Sequence, residues 1–102
     1  MRILAAHVDP HNGATYAVIV NPVAVGKGGL PIVRYRLIRA SSPTWEREVN
    51  TTRSVSRTPG ILIYETFDCP SAWTEHPSFK KRVDRFLREA AQLAAPLTRS
   101  PQ

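Results

Sequence analysis

The sequence predicts an α/β domain whose elements follow the order strand, strand, strand, helix, strand, helix. Residues 2–9 and 61–65 are apolar runs without alternation, each ending on a carboxylate, as strands buried on both faces do. A tight Asn12-Gly13 turn separates the first run from a second strand. A helical segment precedes the 61–65 run, which predicts a right-handed crossover and a mixed sheet with its first and fourth strands parallel.

The second and third strands are predicted from composition and alternation. Residues 14–20 are largely β-branched and aromatic, and the glycine-rich residues 21–29 are predicted to be a connection. Residues 31–39 begin with proline and alternate, with Arg34 and Arg36 on one wet side, which predicts an edge strand. Two roles stay open for these arginines, namely contacts with phosphate groups and protection of a charged edge from aggregation.

Two helices are predicted from capping residues and helical periodicity. The first begins within Ser41–Thr44, with a serine as N-cap and Pro43 in its first turn, and ends before Thr58. The second covers about residues 78–95, with apolar residues at i, i+3 and i+4 spacing, and Pro96 ends it. Its polar surface carries the predicted phosphate-binding residues Lys80, Lys81, Arg85 and Arg88. Residues 1–97 are thus predicted to form one small domain, and 98–102 a flexible tail.

The composition narrows the functional classes. A formal charge of +6 over 102 residues favours an acidic partner such as nucleic acid. The single cysteine, Cys69, excludes an internal disulfide and a multi-thiolate zinc site. We find neither a signal-peptide pattern nor an apolar stretch of the roughly 20 residues that would span a membrane, so a cytoplasmic location is predicted.

Two carboxylates are the candidates for catalysis. If the first and fourth strands are parallel neighbours, Asp9 and Glu65 lie at the same edge of the sheet, where open α/β sheets place their sites. Such a pair is suited to hold Mg²⁺ or Mn²⁺, and Asp68 is a candidate for a third metal ligand. Two-metal chemistry ordinarily needs more carboxylates than this pair supplies.

Two segments resemble the RuvC-type Holliday junction resolvases of the RNase H-like superfamily. Residues 3–19 contain an apolar strand, Asp-Pro, a short turn, and then threonine, tyrosine and a second apolar strand. Residues 58–65 are similar to the fourth strand of that family, an apolar run that ends on a metal-binding glutamate. The resemblance covers about residues 2–67. It implies an RNase H-like fold and divalent-metal-dependent phosphodiester hydrolysis with Asp9 and Glu65 as ligands.

The sequence also departs from that family. His11-Asn12 stands where the family has a glycine directly after Asp-Pro, and the fifth strand and the final helix with further aspartates have no counterpart here. We therefore expect a small basic module that binds nucleic acid or a nucleic-acid-processing protein, as an accessory protein of a phage or mobile element would. The alternatives are a metal-dependent endonuclease that uses Asp9 and Glu65, and a structural or oligomerisation protein unrelated to nucleic acid. A homodimer is a further predicted assembly. The distance between Asp9 and Glu65 distinguishes the binding module from the endonuclease.

Overall fold

The computed structural model describes the backbone of residues 1–99 and the side chains of residues 1–90. The strands are β1 (Arg2–Val8), β2 (Thr15–Val25), β3 (Pro31–Ala40) and β4 (Ile61–Pro70), and the helices are α1 (Trp45–Thr52) and α2 (Pro77–Arg99). Short 3₁₀ turns at Lys27–Gly29 and Ser71–Glu75 precede β3 and α2. Positions 100–102 of the predicted tail lie outside the described residues. Among the described residues, neither helix combines the length and the apolar character needed to cross a bilayer.

The four strands form one sheet in the order β1-β2-β3-β4, and every neighbouring pair is antiparallel. The predicted RNase H-like mixed sheet with parallel first and fourth strands is therefore wrong. β1 and β4 lie at opposite edges, and β4 pairs with β3 from Ala40 opposite Ile61 to Ile32 opposite Pro70. The third strand, predicted to be an edge, is central, whereas the first strand, predicted to be central, is an edge.

The connection between β3 and β4 returns the chain to the end of the sheet at which β3 leaves it. A parallel crossover would have carried the chain back along the whole of β3, whose ten residues span about 33 Å. The helix within the connection, α1, extends only about 12 Å. The backbone N–H of Ser41 donates to the carbonyl of Gly60 at 2.9 Å where the chain re-enters the sheet.

The fourth strand also continues beyond the apolar run that predicted it. Its residues alternate between half-buried and exposed over the whole of Ile61–Pro70. This is the pattern of an antiparallel strand that packs one face against the core and exposes the other to solvent. Tyr64 has no partner on β3, because the register shifts there. This bulge lets Ile61 and Ile63 pack towards α1, and Phe67 and Cys69 towards α2.

Two apolar clusters cover the two faces of the sheet. On the face that carries α1, which we call the α1 face, Trp45, Val49 and Val55 pack on residues of β2 and β3. On the opposite face, the α2 face, Phe79 and Val83 of α2 pack on Val18, Tyr35 and Leu37. Each helix thus buries one stripe of apolar side chains and leaves its polar side in solvent.

Three element ends differ from the predicted ones. β2 extends to Val25, through residues predicted to be a connection. α1 begins at Trp45 with Thr44 as N-cap instead of a serine, because the Ser42 and Thr44 hydroxyls bond to Glu48. α2 continues past Pro96, since a proline in the last turn removes one backbone hydrogen bond without preventing the residues after it from being helical.

Candidate nucleic-acid interface

Asp9 closes the β1–β2 hairpin. Its carboxylate oxygen Oδ1 accepts the backbone N–H of His11 at 2.9 Å, and its own backbone bonds to Ala14 and Gly13 at 2.8 and 2.9 Å. Gly13 has a φ of 74°, the conformation for which the Asn-Gly turn was predicted. Only 2% of Asp9 is exposed. The carboxylate therefore stabilises the turn and is almost entirely withdrawn from solvent.

The other two predicted metal ligands are paired with arginines. Glu65, in the middle of β4, forms a salt bridge with Arg82 of α2. Asp68 accepts two hydrogen bonds from Arg34, at 2.8 and 3.0 Å, and these bonds hold the pKa of the Asp68 carboxyl below its usual range. Within residues 1–90, no group of three or more His, Cys, Asp or Glu side chains is arranged to hold a metal ion.

The sheet topology keeps Asp9 and Glu65 apart. β2 and β3 lie between their strands, so three strand spacings, or about 14 Å, separate the two edges. Asp9 lies just past the end of β1, beyond the row of residues that pair across the sheet with Val8. Glu65 lies opposite Leu37, several residues away from that row along the strands. Metal-dependent hydrolysis by this pair has no geometric support here, and it stays a prediction from the sequence.

The six predicted phosphate-binding residues divide between the two faces. Arg34 and Arg36 lie on the α1 face, in register with Asn21 and Ile19 of β2. Arg34 is engaged by Asp68, whereas Arg36 forms no salt bridge with a described residue. The other four predicted phosphate-binding residues are exposed on α2, on the opposite side of the sheet: Lys80, Lys81, Arg85 and Arg88.

Three of the helix cations form one row, which we call the α2 row: Lys81, Arg85 and Arg88. Their spacing of four and three residues places them on the same side of the helix, at intervals of about 6 and 4.5 Å along its axis. None of the three forms a salt bridge within the described residues. Lys80 lies outside this row and approaches Glu75 at 3.7 Å. The acidic residues Asp84 and Glu89 flank the row.

A groove borders the N-terminal part of this row. It has a volume of about 370 Å³ and is lined by Trp73, Ser78, Lys81, Arg82 and Arg85. The 3₁₀ turn Ser71–Glu75 places Trp73 there, with its ring 5.1 Å from that of Phe79 and 6.1 Å from that of Tyr35. Arg82 lies over Phe67 at 4.3 Å from the ring centre, so its guanidinium is held between Glu65 and an aromatic ring. The groove combines fixed cations with an aromatic wall.

The sequence identified the α2 row but not the neighbours that complete its surface. Trp73 lies in a connection without a regular helical or strand pattern in the sequence, and no sequence feature separates Arg82 from the other helix cations. On the α1 face, Arg53 ends α1 with a φ of 58°. Glycine or asparagine there would have indicated a left-handed C-cap, and arginine does not.

Comparisons with known proteins add no relationship: no protein-family model, no curated protein and no solved structure matches the chain.

Proposed function

We propose that the protein binds nucleic acid through the α2 row and the adjoining groove. The observation that carries this proposal is the alignment of Lys81, Arg85 and Arg88 on one exposed side of α2, with no salt bridge among the described residues. Between Pro77 and Ala90 the helix has five basic residues and two acidic ones. A row of exposed cations at regular spacing suits a polyanion, because each contact with a phosphate releases condensed counterions.

Non-sequence-specific binding is the form of recognition that these residues support. Lys and Arg side chains contact phosphate groups and position a protein, whereas sequence is specified by contacts to base edges. Binding of a protein partner and formation of a homodimer are the alternatives to this proposal. The cytoplasm is the compartment that we propose for each of them. The free edges of β1 and β4 are where a second chain would extend the sheet.

The test measures salt-dependent affinity for fluorescently labelled single-stranded and duplex oligonucleotides by anisotropy. Three phosphate contacts predict a slope of log K against log salt concentration of about −2 for single strands and about −2.7 for duplex DNA. Replacing Lys81 and Arg85 together by glutamine is expected to reduce the magnitude of this slope by about 1.4 to 1.8 and to weaken binding at low salt.

The matched control removes two positive charges elsewhere, by the double change Arg47→Gln and Arg57→Gln. Both control residues are exposed and lie away from α2. We expect the control to retain most of the affinity. Equal losses in the two variants would reduce the effect to net charge, and an absence of binding to every oligonucleotide would reject the proposal. Recovery of a partner protein whose binding depends on the α2 row would assign this surface to protein recognition instead.

A further inference from the structure

The α1 face carries a second cavity, on the opposite side of the sheet from the α2 row. It has a volume of about 430 Å³, within the usual range for sites of small ligands. α1 covers only the part of the sheet near Ala17 and Ile38, and the cavity occupies the part that this short helix leaves open. Its polar lining consists of side chains from β2, β3 and the end of α1: Asn21, Arg34, Arg36, Asn50, Arg53 and Ser54.

The charge of this cavity is positive. None of the residues that line it is acidic; Asp68, outside the lining, forms a salt bridge with Arg34 and attracts Arg36 more weakly. Arg36 and Arg53 form no salt bridge with a described residue. Partial burial, together with the neighbouring charge of Arg34, lowers the pKa of Arg36 from its usual value. Arg36 and Arg53 therefore bring two guanidinium groups without a salt bridge to one cavity, where an anion with two negative charges would balance them.

Asn21 requires a hydrogen-bond donor from the ligand, whereas the arginines require an anion. Its side-chain oxygen Oδ1 is buried and has no hydrogen-bond partner. A buried acceptor without a partner costs free energy, and a phosphate dianion cannot satisfy it, because such an anion has no proton to donate. A ligand that satisfies both features has anionic oxygens at one end and a hydroxyl or N–H donor nearby.

We infer that this cavity binds a phosphate monoester of a hydroxylated small molecule, with the phosphate between Arg36 and Arg53 and a ligand hydroxyl donating to Asn21. Planar guanidinium groups bind phosphate oxygens with two parallel hydrogen bonds. The phosphate monoester has two possible sources, a free sugar phosphate or mononucleotide and the phosphorylated end of a nucleic-acid chain. The inference does not rest on the α2 row, which lies on the other side of the sheet.

The primary experiment is calorimetric titration of the purified protein with ribose 5-phosphate, beside ribose and inorganic phosphate. We expect ribose 5-phosphate to bind more tightly than either of the others, because each lacks one half of the recognised chemistry. Arg36→Gln is expected to weaken binding about tenfold or more, the effect of losing a hydrogen bond to a charged group. Equal affinity for ribose would overturn the phosphate assignment, and equal affinity for inorganic phosphate would overturn the hydroxyl contact.

Two further variants separate binding from folding. Arg53→Asn keeps a residue that tolerates the left-handed conformation, and Asn21→Leu removes the buried acceptor without adding charge. Both are expected to weaken binding of ribose 5-phosphate while the thermal midpoint is unchanged or raised. The double change Lys81→Gln and Arg85→Gln is the control and should leave this binding unaltered. Unchanged affinity in the Arg36 variant, or no binding by folded wild-type protein, would overturn the inference.

The two sources of the phosphate are distinguished in the background of that α2-row double variant. A 5′-phosphorylated dinucleotide and the same dinucleotide without the phosphate are titrated against it. Tighter binding of the phosphorylated dinucleotide than of ribose 5-phosphate would assign the cavity to chain ends, and the reverse order would assign it to free metabolites. No preference for the phosphorylated dinucleotide, combined with no binding of ribose 5-phosphate, would reject both.

Discussion

The two faces of the sheet bury their side chains to different extents, and this difference decides where charge is available. On the α2 face a long helix and a 3₁₀ turn cover the strands, and the α2 row of Lys81, Arg85 and Arg88 points to solvent. On the α1 face an eight-residue helix leaves part of the sheet open, and arginines of β3 line a cavity there. The first arrangement suits an extended polyanion and the second a single anionic group.

Among the described side chains, each face also has one buried polar atom without a hydrogen-bond partner. On the α2 face this atom is the hydroxyl oxygen of Tyr35. The Tyr35 ring packs in an aromatic cluster with Phe67 and Phe79, and only 1% of the residue is exposed. On the α1 face it is Oδ1 of Asn21, which belongs to a residue that lines a cavity. The unpaired hydroxyl of Tyr35 therefore destabilises the closed face, whereas on the open face the inferred ligand would donate a hydrogen bond to Oδ1 of Asn21.

The largest expected effect compares the two cores. Phe79→Ala is expected to lower the free energy of unfolding by about 3–5 kcal/mol, because it empties the centre of the aromatic cluster. Val49→Ala on the α1 face removes less apolar surface and should cost about 2 kcal/mol. Urea denaturation measures both values. Val83→Ala, the same chemical change on the α2 face, is the control, and a loss similar to that of Val49→Ala would assign the difference to the aromatic ring.

An intermediate effect of opposite sign is expected for Tyr35→Phe. This change removes a hydroxyl that has no partner and keeps the ring, so the free energy of unfolding should rise by about 1 kcal/mol. Burial raises the pKa of the Tyr35 hydroxyl, which is consistent with its exclusion from water. Thermal and urea unfolding measure the change. A destabilised variant would show that the hydroxyl has a partner in solution, such as an ordered water molecule.

The smallest effect concerns the N-terminus of α1. The hydroxyls of Ser42 and Thr44 each donate to Glu48 at 2.6 Å and hold the pKa of its carboxyl below the usual range. A lowered pKa in the folded state stabilises the protein above the unfolded pKa, near 4.3, and this contribution disappears as the pH falls through the folded value. Glu48→Gln should therefore lower the thermal midpoint at pH 7, and the difference from wild type should shrink below about pH 4.

Glu46→Gln is the matched control for this pH dependence. Glu46 lies in the same first turn but accepts no hydrogen bond from a described side chain. Its replacement changes the interaction with the helix dipole alone. A pH-dependent difference as large as that of Glu48→Gln would show that the dipole, and not the two hydroxyls, stabilises the carboxylate.

Local features of the fold were predictable from the sequence. The Asn12-Gly13 hairpin is present with Gly13 at positive φ, and the four strands and two helices occur in the predicted order. Lys80, Lys81, Arg85 and Arg88 are exposed, because their helical spacing separates them from Phe79 and Val83. These features depend on residues a few positions apart, so the chain specifies them without reference to its distant parts.

The pairing of β4 was decided by tertiary structure. The apolar run 61–65 resembles a buried parallel strand, and only its continuation to Pro70 and the complementary charges of Arg34 and Asp68 indicate an edge beside β3. The same pairing separates Asp9 from Glu65. Strand order depends on long-range contacts, so the apolar pattern of residues 61–65 does not by itself specify which strand β4 pairs with.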